Sequence, residues 1–249
     1  MVLMSNRTRT RFAYPTALLV CMLIILLSMP LLAATRAPAT SRAMPPRNAP
    51  SIATILHNVE NCFSEIKDIT GVVDLEQYSA DGSIVQVQTT VQAVLPSLLR
   101  LDFVKPETFA GTFYVLDRNT NQIMQYSPIT EQVIVSSIEQ TLSERFVPTT
   151  VEQLFSLPSP DDYDLTVLST ETSGKQNLVG VLAKAKNDAA SPYFHFWIDQ
   201  ETWIVSRMHV FDAQGQPLFK IQLRDIKINR SLVEAQLKRL PAGAITVYR

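Results

Sequence analysis

Hydrophobic and polar residues alternate along most of the chain in a pattern that predicts β-strands. The segment IVQVQTTVQAV, residues 84–94, puts Val87, Val91 and Ala93 on one side and glutamines on the other. A period of two with one apolar side is typical of an antiparallel strand between core and water. The same pattern, interrupted by turn residues, predicts further strands at 72–78, 98–104, 112–116, 122–126, 132–135, 163–170, 176–186, 193–198, 203–211 and 217–228.

Two segments have a helical rather than a strand pattern. Apolar residues recur every three or four positions across 51–66, and Ser51 is placed to cap the first turn. Cys62 falls on the apolar stripe, so we expect a small buried side chain rather than a reactive thiol. Gly71 is expected to end the helical pattern. Residues 139–157 break the strand rhythm and predict one or two short helices.

The elements together indicate a mainly β fold with helices, in the α+β class. About ten or eleven strands follow one another as a long antiparallel meander, with one leading helix and one helical interruption. Open sheets of this size tend to curl. We therefore expect a strongly curved sheet with a helix in its mouth.

The first 50 residues differ from the rest. Residues 1–34 combine three arginines, an apolar run and a small-residue end, which is typical of an export signal cleaved after Ala34. Retention of this segment as an N-terminal membrane anchor is the alternative. Residues 35–50 contain four prolines among alanines and arginines, as in a flexible linker. The folded domain is then expected at 51–249.

Charge and cysteine content narrow the function classes. Without the three arginines of the signal, 19 basic and 23 acidic residues remain, which gives no electrostatic reason to expect nucleic acid as a partner. Cys62 is then the single cysteine, so no intramolecular disulfide can form.

No motif for catalysis or for a cofactor is visible. His57, His195 and His209 lack the close spacing of metal ligands, and phosphate-binding glycine loops and a GxSxG nucleophile motif are absent. The acidic cluster at 161–164 is expected to be a solvated loop. We expect no cofactor and no metal. A hydrolase with dispersed residues stays open as an alternative, because catalytic triads form in space rather than in sequence.

The most aromatic part of the chain is the stretch 194–220. Residues 199–202 are interpreted as a hairpin loop that places Ile198 opposite Trp203 and Phe196 opposite Val205. These aromatic and aliphatic side chains either pack in the core against the helix or form the wall of a cavity. The two histidines nearby are expected to be structural. One face of this hairpin would carry Phe194, Phe196, Ile198, Trp203, Val205 and Phe211, with Arg207 and His209 at its far end.

Three segments in order resemble a known family. They are LRLDFVKPETFAGTFYVLDRNTNQIMQYSPITEQVIV (99–135), FWIDQETWIVSRMHVFDAQGQPLFKIQLRDIKIN (196–229) and LPAGAITV (240–247). Together they resemble the periplasmic lipoprotein carriers of the LolA type, including a Lys-Pro step, a Y-x-P turn and the closing Pro-x-Gly. The likeness extends over most of residues 51–249.

The resemblance implies an unclosed, strongly curved antiparallel β-barrel, lidded by helices around an apolar cavity that binds acyl chains without covalent chemistry. In the carriers an arginine precedes the proline of a P-x-L-F step, whereas Leu95 precedes Pro96 here. The resemblance therefore supports lipid binding without extending to an energy-dependent release cycle. The expected lipid-binding residues are Leu99, Leu101, Phe103, Phe113, Val115, Phe194, Phe196, Ile198, Trp203 and Val205.

The leading hypothesis is an extracytoplasmic, non-catalytic carrier or binder of lipoprotein acyl chains or other lipids. It would be monomeric and would act with membrane-associated delivery and acceptor proteins. The alternative is a membrane-tethered signalling or interaction domain of the same fold with no lipid cargo. A hydrolase with a dispersed site is the third hypothesis.

Overall fold

The computed structural model describes residues 49–138, 156–173 and 176–249. The signal at 1–34, nearly all of the linker and all but the last two residues of the helical segment expected at 139–157 lie outside these residues. The helical elements are α1 (Ile52–Cys62), the 3-10 helix η1 (Glu107–Phe109) and α2 (Glu234–Leu237). The strands are β1 (Asp68–Tyr78), β2 (Ile84–Val94), β3 (Leu98–Lys105), β4 (Phe113–Asp117), β5 (Gln122–Ser127), β6 (Gln132–Ser137), β7 (Tyr163–Ser173), β8 (Gln176–Ala185), β9 (Tyr193–Asp199), β10 (Val205–Phe211), β11 (Pro217–Ile228) and β12 (Ile245–Tyr248).

Helix α1 begins where the sequence predicts. The Ser51 hydroxyl accepts a hydrogen bond from the Thr54 amide at 3.1 Å, which confirms the N-cap. The helix ends at Cys62, and β1 begins at Asp68. Gly71 therefore lies inside a strand, and the expectation that it ends the helical pattern is wrong. Its place is explained by crowding, because a Cβ there would lie 3.0 Å from a methyl of Leu223 on β11.

The described strands form one twelve-stranded sheet in the order β12-β6-β5-β4-β3-β2-β1-β11-β10-β9-β8-β7. Neighbouring strands are antiparallel except β12, which pairs parallel to β6. The chain forms two meanders, β1–β6 and β7–β11, joined by the pairing of β1 with β11. A single continuous meander was therefore the wrong topology. Strands β7 and β12 are the two edges, so the sheet is unclosed.

The two faces of the sheet pack differently. We call the face that carries Leu75, Val87 and Phe196 the inner face; Ile55 and Val59 of α1 pack against it. A second inner-face cluster continues across β1–β5 around Val91. On the opposite, outer face, a small cluster forms between β3, β4 and α2: Leu98, Phe113, Val115 and Leu237.

None of the helices within the described ranges combines the length and the apolar character that a membrane crossing requires.

Candidate functional site

The inner face carries the largest cluster of buried hydrophobic residues in the described part of the chain. Its main cluster of buried hydrophobic residues joins α1 to strands on both sides of the β1–β11 junction. A wall of such residues suits hydrocarbon and disfavours ionic ligands. The buried members are Ile55, Val59, Leu75, Val87, Phe103, Tyr163, Val167, Val179, Val181, Ala183, Phe194, Phe196, Ile198, Val205, Met208, Val210 and Phe219.

Most of the residues expected to bind lipid lie on the inner face. Leu99 and Leu101 are buried in the cluster around Val91. Trp203 is partly buried and packs against the main cluster. The remaining five are buried within that main cluster: Phe103, Phe194, Phe196, Ile198 and Val205.

Phe113 and Val115 lie elsewhere. Across the β3–β4 pair, Phe113 is opposite Asp102 and Val115 is opposite Arg100, so both side chains point to the outer face. They are buried there in the α2 cluster. The structure therefore separates them from the other eight expected residues. Tyr114, which sequence analysis did not select, takes the inner-face position opposite Leu101.

The β9–β10 hairpin also differs from its expected register. The connection between the strands is 200–204 and ends two residues later than expected, Trp203 adopts a φ of 58°, and Val205 rather than Trp203 lies opposite Ile198. The register then shifts between Val205 and Arg207. Such a bulge turns later side chains over. Met208 and Val210 consequently enter the inner cluster, whereas Arg207, His209 and Phe211 point outward.

An aromatic edge connects the inner cluster with solvent. It consists of Phe103, Phe109 and Tyr114, with ring centroids 6.4 Å apart for Phe103–Phe109 and 6.0 Å for Phe103–Tyr114. Phe103 is 4% exposed and Phe109 is 37% exposed. Because η1 turns the chain back after β3, Phe109 is placed beside the buried ring. The three rings form a graded apolar path from surface to core.

The histidines of the aromatic stretch belong to the outer face. The His209 ring lies 4.6 Å from Trp197, and the His195 ring lies 5.0 Å from Phe211. Burial, reinforced by the positive charges of Lys220 and Arg207, lowers the pKa of His209 to about 4. Both rings therefore act as packed aromatic groups.

Two further observations concern the titratable groups in the described part of the chain. Burial raises the pKa of the Cys62 thiol to about 11, which makes it a poor nucleophile near neutral pH. Among residues 49–138, 156–173 and 176–249, no three histidine, cysteine, aspartate or glutamate side chains are grouped as metal ligands.

A separate open pocket lies on the outer face. It has a volume of about 290 Å³ and lies between β3 and the C-terminal segment. The Arg100 guanidinium in this pocket already has protein partners: it donates hydrogen bonds to the Asp102 carboxylate and to the carbonyls of Leu237 and Arg239. The pocket has no connection with the aromatic edge, because Arg100 points to the other face. Its lining residues are Arg100, Gln236, Arg239, Leu240 and Pro241.

Solved structures similar to this chain support the fold. An uncharacterized conserved protein from Thermus thermophilus is 19% identical, with 79% of this chain and 98% of that chain covered and a TM-score of 0.55. MucB is 14% identical, with 79% of this chain and 64% of that chain covered and a TM-score of 0.52. This chain thus spans less than two thirds of MucB, which is also known in complex with MucA(peri).

The solved structures also include a LolA superfamily protein from Nitrosomonas europaea. It is 12% identical, with 77% of this chain and 99% of that chain covered and a TM-score of 0.38. All these likenesses concern the fold alone.

No curated protein sequence matches the chain. A family model described as "Uncharacterized protein" matches residues 100–235, which is more than half of the chain. The matched region begins in β3 and ends in α2, so it includes most of both meanders. The chain therefore belongs to this family of uncharacterized proteins, and its fold is similar to that of the Thermus thermophilus protein and of MucB.

Proposed function

We propose that this protein is an extracytoplasmic, non-catalytic binder of acyl chains, from a lipoprotein or a free lipid, on the inner face of its sheet. The observation that carries the proposal is the aromatic edge, where exposed Phe109 leads to buried Phe103 and on to a cluster of buried hydrophobic residues. The export signal expected at 1–34 and the linker at 35–50 would deliver the domain outside the cytoplasm, free or tethered.

Such a site can bind the hydrocarbon part of a ligand without hydrogen bonds or ion pairs to it. Burying one methylene is worth about 0.8 kcal/mol, so roughly eight to ten methylenes contribute about 6–8 kcal/mol against an association cost of about 4–15 kcal/mol, and each further methylene adds to the affinity. The inner cluster would open by outward movement of Phe103 toward Phe109, since the two rings already lie side by side.

Two phenylalanines provide a matched test of the site. Phe103 and Phe113 are both buried, but on opposite faces. Replacing either by alanine removes a ring and costs about 3–5 kcal/mol of stability. We expect F103A to strengthen saturable uptake of a fluorescent acyl ester by the purified full chain at least about tenfold, corresponding to about 1.4 kcal/mol, because the ligand no longer has to displace this ring and can fill the space that it leaves. F113A should bind like wild type.

Circular dichroism would establish that both variants are folded before titration. Absence of saturable uptake by the wild-type chain would reject acyl binding. Uptake that is equally strong in F103A and F113A would reject the inner face as its location.

The second candidate function is a protein-interaction domain without lipid cargo. It is favoured by the inner cluster being filled by the protein's own side chains, and by the known complex of MucB with MucA(peri). Native mass spectrometry of the full chain separates the two candidates. A bound mass that organic extraction removes supports the lipid binder, and a stable protein partner without lipid supports the interaction domain.

A further inference from the structure

The Thr89 hydroxyl on the inner face has no hydrogen-bond partner among the described residues. Thr89 is 1% exposed, and its Oγ1 atom is completely buried and unpaired. Buried hydroxyls in folded proteins are nearly always paired, because an unpaired one loses its hydrogen bonds to water without replacement. Valine has almost the same shape and would avoid this loss. The presence of threonine at this position therefore requires an explanation.

The surroundings of Thr89 are apolar on every strand that borders it. On β2 its inner-face neighbours are Val87 and Val91, and its partners across the sheet are Val73 and Phe103. A buried water needs two to four polar partners, and these side chains supply none. An ordered water bridging Thr89 to another side chain is therefore a poor explanation for the hydroxyl.

Thr89 lies next to the aromatic edge. Its direct partner on β3 is Phe103, the innermost ring of that edge. Outward movement of Phe103 would bring the hydroxyl within reach of a molecule entering beside Phe109. A neutral carbonyl oxygen could accept the hydroxyl proton there. A carboxylate or an ammonium group would be buried beside apolar side chains without a counter-ion, which is strongly unfavourable.

We infer that Thr89 donates a hydrogen bond to the carbonyl oxygen of a bound acyl ester or amide, with its hydrocarbon chain along the inner cluster. This inference rests on the proposed acyl-binding function and adds the ligand class: acyl groups in ester or amide linkage, in preference to plain hydrocarbons and to ionised fatty acids. Gln77 Oε1, a second buried unpaired atom on the inner face of β1, lies further along the same wall.

The test compares T89V with T90V in the full chain. Thr90 is the next residue on β2 and points to the outer face, so it controls for the same chemical change. Methyl myristate and pentadecane would each compete with a fluorescent hydrocarbon probe, which has no polar group for Thr89 to bind. We expect T89V to bind methyl myristate about tenfold more weakly and pentadecane as well as wild type does. T90V should leave both affinities unchanged, and T89S, which keeps the hydroxyl, should retain ester binding.

The outcomes separate this inference from the function on which it rests. Probe binding with equal ester affinity in wild type and T89V would overturn the role of Thr89 and leave acyl binding intact. Failure of the wild-type chain to bind probe, ester and hydrocarbon would overturn acyl binding itself. The melting temperature of T89V should not fall below that of wild type, because the unpaired hydroxyl is gone.

Discussion

His195 and His209 face each other across β9 and β10 and lie among aromatic rings on the outer face. An imidazole ring in this place is more stable neutral than protonated, because the charged ring needs hydration and the packed neighbours exclude water. Arg207, stacked 4.7 Å from the centre of Trp197, adds positive charge nearby, whereas Glu76 acts in the opposite direction. The two neutral histidines therefore stabilise the fold mainly at pH values above the ordinary histidine pKa.

The first prediction concerns stability in acid. The pKa of His209 is about 4 in the folded protein and about 6.5 unfolded, so protonation favours unfolding. Its contribution is complete above pH 6.5 and is lost as the pH falls toward 4. We expect H209Q to reduce the loss of unfolding free energy between roughly pH 7.5 and 4.5 by about 1–2 kcal/mol, allowing for partial exposure.

Urea unfolding at the two pH values measures this difference. H57Q is the matched control, because His57 lies on the exposed side of α1, and it should keep the wild-type pH dependence. Identical pH dependence in H209Q and wild type would contradict the assignment.

The face of the sheet on which a side chain lies was predictable from sequence where the two sides of a strand differ chemically. Strand β2 alternates aliphatic and glutamine side chains, so its inner face was correctly expected. Strand β4 has apolar side chains on both faces, so Phe113 could not be assigned to one from the sequence pattern alone. In β10 a single bulge exchanged Met208 and Val210 with His209 and Phe211, and nothing in the local sequence indicates it.

The element least expected from sequence is the C-terminal segment after β11. Asp68 accepts hydrogen bonds from the amides of Arg230 and Ser231 at 2.7 and 2.9 Å, which fixes where the segment leaves the sheet. Lys238 then pairs with Asp117 at 2.6 Å. Burial tends to raise the pKa of Asp117, but the hydrogen bonds from Lys238 and Thr120 outweigh it and hold the carboxyl below its ordinary value.

These contacts are long-range, which is why local patterns did not predict α2 or β12. Strand β12 is only four residues long and pairs with β6 in parallel. A strand of that length has little periodicity of its own. Its place is determined by the contacts that hold the preceding segment to the outer face.

The second prediction concerns this attachment. R100K keeps the charge but loses the planar fork that binds Asp102 and two carbonyls together. We expect a loss of about 1–3 kcal/mol and faster amide hydrogen exchange in residues 232–248. Exchange in α1 should change little. R224K, at an exposed arginine paired with Asp74, is the control and should leave the C-terminal segment protected.

Equal exchange in R100K and wild type would show that the segment is held without the guanidinium.

At the scale of the whole molecule, the sheet depends on the junction between its two meanders. Strand β1 pairs with β2, next in sequence, and with β11, roughly 150 residues away. The sequence predicted strands β1–β11 from local alternation and turn residues, but not β12. It did not predict their order, because pairing between distant strands depends on complementary faces rather than on a local signal.

The last prediction tests whether the inner face, and not the apolar core in general, accommodates a ligand. Leu75 lies on the inner face and Leu98 in the outer-face cluster, and each is 1% exposed. Either leucine-to-alanine change should cost about 2–5 kcal/mol of unfolding free energy and leave a cavity. An acyl ligand that binds the inner face can fill only the cavity of L75A. Urea unfolding with and without methyl myristate should therefore show a larger ligand stabilisation in L75A than in wild type, and no such gain in L98A. Equal gains in both variants would mean that the ligand does not distinguish the faces, and a gain confined to L98A would place it beneath the C-terminal segment instead.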